Sequence, residues 1–69
     1  MTDIVHNRIR EVRAMEAVTQ EALAEATGVS RQTIIAIESG KYTPSLPLAL
    51  KIAKRFRLTV EELFKLKKP

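Results

Sequence analysis

TQEALAEATGVSRQTIIAIESG, residues 19–40, is the stretch whose reading decides the fold. Thr19 is suited to cap a helix, and Glu21 puts a negative charge in the first turn, where the helix dipole favours one. Leu23 and Ala24 face inward. Thr27-Gly28 ends the helix, because glycine accepts the left-handed conformation that commonly follows a last helical turn. After Val29 alone, Ser30 caps a second helix. Ile34 and Ile37 give that helix a buried stripe three residues apart, and Ser39-Gly40 stops it. Helices over Gln20–Thr27 and Arg31–Ser39 are thus joined by a turn of about three residues centred on Gly28, which forces a steep crossing. Ala24, one turn before Gly28, is the small residue such a close contact requires, and Leu23, Val29, Ile34 and Ile37 close a small core beneath it.

Working outward, Ile9, Val12 and Met15 recur at helical spacing and predict a helix from Asn7 to Glu16, with Ala17-Val18 leading out of it. Lys41-Tyr42-Thr43-Pro44 reads as a loop. Ser45 caps a fourth helix that tolerates Pro47 in its first turn and carries Leu46, Ala49, Leu50, Ala53 and Phe56 at helical spacing. Thr59-Val60-Glu61-Glu62 has the form of a capping box, starting a short fifth helix with Leu63 and Phe64 as its apolar side. The expectation is an all-α, compact five-helix domain over residues 1–69. Its helical core runs from 7 to 64, with the helix-turn-helix at 20–39.

With 69 residues, no cysteine and one histidine, the chain lacks the staples of many small proteins, so its fold must rest on packed helices or self-association. No apolar run approaches the roughly 18 residues that span a bilayer. Met1-Thr2-Asp3-Ile4-Val5-His6 also lacks the basic-then-apolar form of a secretory signal, so a cytoplasmic location is expected. The net charge is +4. Residues 1–53 hold six basic and six acidic side chains, whereas residues 54–69 hold Lys54, Arg55, Arg57, Lys65, Lys67 and Lys68 against Glu61 and Glu62. Such an excess either faces phosphate or is a solvated basic end. There is no glycine-rich phosphate loop and no thiol nucleophile, and His6 stands alone. The chain is therefore read as non-enzymatic, with no catalytic residue, cofactor, metal ligand or small-molecule ligand expected.

Thr19-Gln20-Glu21-Ala22-Leu23-Ala24, Gly28-Val29-Ser30-Arg31-Gln32-Thr33-Ile34 and Ile37-Glu38-Ser39-Gly40-Lys41 together resemble the Xre family of Cro and phage-repressor-like bacterial regulators. Pro44-Ser45-Leu46, Leu48-Ala49-Leu50-Lys51-Ile52-Ala53 and Leu63-Phe64 extend the likeness to the short, single-domain members. The resemblance implies a repressor-like domain whose third helix enters the major groove of double-stranded DNA while the second lies across the backbone. Arg31 and Gln32, at the start of that helix, are residue types that pair bidentately with guanine and adenine. Ile35 lies on the same side and should be exposed. It is either a reader of a thymine methyl group or a stray surface isoleucine. Ala36 shares this base-facing side, though it is too short for the polar contact longer side chains make there in some relatives. By resemblance Gln20, Ser30, Thr33, Ser39, Lys41 and Tyr42 are the phosphate-contacting positions, and Arg13 and Glu38 are a structural ion pair.

One departure stands out: the family commonly has glycine where this chain has Ala17, and alanine is disfavoured in the left-handed region. For the working unit, a homodimer on an inverted-repeat operator is expected. Phe64-Lys65-Leu66-Lys67 alternates apolar and basic residues, a strand pattern, and Ile4-Val5-His6 is placed to pair with it as an antiparallel ribbon. Ile4, Val5, Phe64 and Leu66 would then form the dimer interface; the alternative is a frayed tail at each end. Two other functions compete with a repressor. One is the antitoxin of a toxin-antitoxin pair, against which stands the lack in this sequence of a long segment to wrap a toxin. The other is a helical interaction module that has lost DNA binding, against which stand Arg31, Gln32 and Lys41.

Overall fold

A computed structural model describes residues 4–67. Met1-Thr2-Asp3 of the start discussed above, Lys68 of the basic end and the final Pro69 of the expected domain lie outside the described residues. The helices are α1 (Ile9–Glu16), α2 (Gln20–Thr27), α3 (Arg31–Glu38), α4 (Leu46–Arg55) and α5 (Val60–Leu63), flanked by strands β1 (Ile4–Asn7) and β2 (Phe64–Lys67). This is the expected five-helix, repressor-like architecture, completed by the two-stranded antiparallel ribbon.

Hydroxyl caps start four of the helices. Thr19, Ser30, Ser45 and Thr59 accept from the backbone N–H groups of Ala22, Thr33, Leu48 and Glu62. The Glu62 carboxylate returns to the Thr59 N–H at 2.8 Å, completing the capping box. α1 begins differently. Asn7 closes β1 and lies outside the helix expected to include it; its Oδ1 accepts from the Ile9 N–H at 3.1 Å and its Nδ2 donates to the Ile37 carbonyl at 2.9 Å.

The first four helices stop by one device, a residue in the left-handed region whose N–H and that of its successor return to the last turn. The paired bonds are Ala17 to Ala14 and Val18 to Arg13, Gly28 to Glu25 and Val29 to Ala24, Gly40 to Ile37 and Lys41 to Ala36, and Arg57 to Lys54 and Leu58 to Ala53. Glycine fills this position twice, at φ +77 and +81, but Ala17 and Arg57 occupy it at φ 55 and 59, where a Cβ is a penalty. That penalty is roughly 1–2 kcal/mol, and a glycine gives back part of the relief as unfolded-chain entropy. Ala17→Gly should therefore raise the unfolding free energy by about 0.5–1 kcal/mol and the melting temperature by a few degrees. Unchanged or lower melting would show that Ala17 carries no such strain.

Ile9, Leu23, Ile34, Ile37, Ile52 and Leu63 are fully enclosed, with Val12, Val18, Ala24, Leu48, Ala53 and Phe56 around them. Three apolar expectations are corrected. Met15 is 74% exposed, because the left-handed turn at Ala17 ends α1 and brings Val18 over the core in its place. In α4 the buried stripe is Leu48, Ala49, Ile52, Ala53 and Phe56, leaving Leu46 and Leu50 exposed. That helix is apolar on more than one side, and periodicity alone admits both stripes. Phe64 is extended at φ −119, ψ 136 and opens β2, so α5 ends at Leu63.

The ribbon pairs Ile4 with Lys67, Val5 with Leu66, His6 with Lys65 and Asn7 with Phe64. Directly opposed residues share a face, so Val5, Asn7, Phe64 and Leu66 lie on one side and Ile4, His6, Lys65 and Lys67 on the other. The Arg8 N–H donates to the Leu63 carbonyl at 3.0 Å, fastening the ribbon's base to the helices. No helix among the described residues is long and apolar enough to cross a membrane.

Candidate nucleic-acid interface

The Ser30 cap fixes where α3 begins, and with it the direction of its first side chains. Ser30 Oγ accepts from the Thr33 N–H at 3.2 Å and lies 3.0 Å from the Thr33 hydroxyl, so both groups serve the helix start while Ser30 stays exposed. Arg31 and Gln32 follow at once. Both are exposed, and among the described residues neither side chain has a hydrogen-bond partner, leaving a guanidinium and an amide unengaged at the start of the helix.

One turn later the expectation for Ile35 needs correction: it is half-buried, as is Ala36. Ile34 and Ile37 on either side of them sink completely into the core, which draws the intervening positions partly under cover. At the far end of α3 the Ser39 hydroxyl donates to the Ala36 carbonyl at 3.1 Å. That carbonyl also accepts from the Lys41 and Tyr42 N–H groups, so these two residues can offer an anion only their exposed side chains.

Beneath this surface lies a charged network. No part of the Glu38 side chain is exposed. Arg13 Nε donates to its Oε2 at 2.6 Å and Arg13 Nη2 to its Oε1 at 3.2 Å, while Nη1 donates to the Val18 carbonyl at 3.0 Å. Gln20 Nε2 donates to Oε1 at 3.0 Å, and Arg10 Nε stands 3.7 Å from the same oxygen. Burial pushes the Glu38 carboxyl up. The hydrogen bonds from Arg13 and Gln20, with the positive charges of Arg13 and Arg10, outweigh that and hold it below the ordinary carboxylate value. The network ties α1, the α1–α2 turn, the start of α2 and the end of α3 to one atom group. It thereby fixes α3 relative to α2.

The geometry joins Arg13 and Glu38 and adds two members that sequence reasoning missed. Gln20, expected only at phosphate, has one amide hydrogen engaged by Glu38 and one left over. Arg10 carried a usable signal, since it lies three residues before Arg13 and so shares its helix face. Of the expected interface residues on the ribbon, Val5, Phe64 and Leu66 share a face and Ile4 points to the other. No group of histidines, cysteines and carboxylates among the described residues could hold a metal ion.

Comparisons with known proteins agree on one class. A family model described as Helix-turn-helix matches residues 9–63. An HTH-type transcriptional regulator of Methanocaldococcus jannaschii is 59% identical over 58 residues, 84% of this chain and 88% of that protein. This relative is archaeal, so the likeness is not confined to the bacterial setting expected from the sequence. The transcriptional repressor RstR of cryptic phage CTXphi, from Vibrio cholerae, is 33% identical over 57 residues, covering 83% of this chain and 51% of that protein. Among solved structures, the restriction-modification controller protein C.AhdI from Aeromonas hydrophila superposes with a TM-score of 0.75 at 33% identity, covering 80% of this chain and 83% of that one.

Proposed function

Because the chain belongs to the Xre-like helix-turn-helix family, whose members are DNA-binding transcriptional regulators and not enzymes, we propose that it acts as a repressor. In this reading a homodimer binds an inverted-repeat operator in double-stranded DNA, each copy laying α3 in the major groove. The observation that carries the proposal is the pair Arg31 and Gln32, exposed and without protein partners at the start of α3. A helix N-terminus is the part of a recognition helix that reaches base edges, and these are the two side chains suited to guanine and adenine. Ile35 and Ala36 would lie against bases one turn further on. Ser30, Thr33, Lys41, Tyr42 and the remaining amide hydrogen of Gln20 would hold phosphates, and the Ser39 hydroxyl would do so by turning from the Ala36 carbonyl. The repressor role draws on the likeness to RstR. Selection of bound sequences from random duplex DNA tests the reading, and an inverted repeat should emerge. A reporter promoter overlapping that repeat should be silenced, whereas recovery of no preferred sequence would sink the proposal.

The dimer would use the ribbon face that carries Val5, Phe64 and Leu66. Leu66 is 70% exposed and directly opposes Val5. Val5 and Phe64 also line one crevice with Tyr42, Thr43 and Pro44, so this apolar face adjoins the loop that follows α3. A two-fold axis there would bring two recognition helices to one side of the DNA, about 34 Å apart. Sedimentation at micromolar concentration should give twice the monomer mass. Leu66→Glu should halve that mass and weaken binding to the full inverted repeat far more than to a half-site. A monomeric wild type that occupies each half-site independently would overturn the dimer.

A further inference from the structure

The donors around Glu38 are not equally occupied. Arg13 reaches both carboxylate oxygens and gives its remaining amino group to the Val18 carbonyl, so its charge and all three of its nitrogens are engaged. Arg10 differs. Its Nε is 3.7 Å from Glu38 Oε1, its side chain is 72% exposed, and among the described residues no oxygen accepts a hydrogen bond from it. One carboxylate cannot neutralise two guanidiniums, so Arg10 leaves a surplus positive charge at this point of the surface. The place is specific. Oε1 is also the atom that accepts from Gln20 Nε2 at 3.0 Å, so the Arg10 guanidinium and the Gln20 amide converge on one buried oxygen. Gln20 opens α2, at the edge of the surface to which DNA is assigned above.

We propose that Arg10 is a further phosphate ligand of the DNA interface, closing with Gln20 on one backbone phosphate, with Glu38 beneath as the positioning residue for both. The proposal rests on the DNA-binding reading above and adds a residue to it. A guanidinium presents a fork of N–H donors that matches two phosphate oxygens, and the amide hydrogen left on Gln20 supplies a neutral donor beside it. Phosphate contacts add affinity without sequence information. Exchange of a long contact with an already paired carboxylate for an unpaired phosphate favours the bound state. A purely structural Arg10 would reveal itself differently: so long a contact from a largely exposed arginine to a carboxylate already paired with Arg13 adds little stability and nothing to the salt dependence of binding.

Wild type, Arg10→Gln and Arg10→Lys are titrated with two duplexes, one of mixed sequence and one recovered by selection, over a range of salt concentrations. Each protein is also melted without DNA. Arg10→Gln should bind both duplexes more weakly by the same factor and melt like wild type, with a slope of log affinity against log salt shallower by about 0.9. A fourfold rise in salt should accordingly narrow its gap to wild type about 3.5-fold. Arg10→Lys, which returns the charge, should restore the slope. An unchanged slope in Arg10→Gln would overturn the assignment, as would a loss confined to the selected duplex, which would make Arg10 a base reader. A wild type that bound neither duplex would overturn the DNA-binding reading itself, and Arg10's role with it.

Discussion

Glu38→Ala is expected to lower the unfolding free energy by about 3–5 kcal/mol, the cost of removing one partner from a buried ion pair. Lost attraction is the smaller part of this. The Arg13 guanidinium, only 15% exposed, would keep its charge and lose both carboxylate acceptors, with the Val18 carbonyl alone remaining, and the Gln20 amide would lose its partner. A chain of this length is stable by roughly 3–10 kcal/mol in all, so the variant should sit near the limit of folding. Its melting temperature should fall by roughly 20–35 °C, read by circular dichroism. A fall of only a few degrees would mean the network does not hold the helices together. Acidity gives an independent reading. Since the folded carboxyl lies below its ordinary value of about 4.5, its stabilisation is present above that pH and is lost as pH falls through the lower folded value. Glu38→Gln keeps the shape but cannot ionise. It should be less stable than wild type at neutral pH and should lack this component of acid sensitivity.

Arg31→Ala is expected to cost about 1–3 kcal/mol at the selected operator and to relax preference at one base position, leaving its neighbours as selective as before. The side chain is exposed and unpartnered, so its removal should leave melting unchanged and the whole effect should appear in binding. Unaltered affinity and unaltered selected sequences would remove Arg31 from base readout. The same titrations examine Ile35. Replacing the contacted thymine by uracil removes one methyl group, which wild type should register and Ile35→Ala should ignore. Half-burial of Ile35 narrows what it can offer to the edge of its side chain, and a methyl contact needs no more.

The parts of the fold legible in the sequence were those written in local chemistry. Hydroxyl caps at Thr19, Ser30, Ser45 and Thr59 fixed helix starts, and Gly28 and Gly40 fixed two ends. Arg57, in the same left-handed role, was invisible because nothing in its side chain advertises that conformation. Ala17 became legible only through its departure from the family pattern. Choices that depend on packing were harder. Both leucine stripes of α4 satisfy a period of 3.6, and only the neighbours of α4 in the folded chain select one. Likewise the Arg13–Glu38 pair followed from resemblance, while Gln20 and Arg10 joined it through space, from positions 18 and 28 residues away from Glu38 along the chain.

The pairing of Ile4 with Lys67 joins positions at opposite limits of the described chain. Closing so long a loop in an unfolded polymer carries a large entropic penalty, while four residues of strand provide few compensating bonds. The penalty is met only once the helices have formed and brought Arg8 beside Leu63, within 3.0 Å, after which the strands need only zip outward. The ribbon is therefore the final chapter of assembly and the first to be undone. Its outer pairs, Ile4 with Lys67 and Val5 with Leu66, should open while the helices stay packed, because Asn7 at its base is held by the Ile37 carbonyl and Phe64 by the core. If the two copies do meet through Val5 and Leu66, association would select molecules whose ribbons are shut. Quaternary structure would then act as the lock on the least secure part of each subunit.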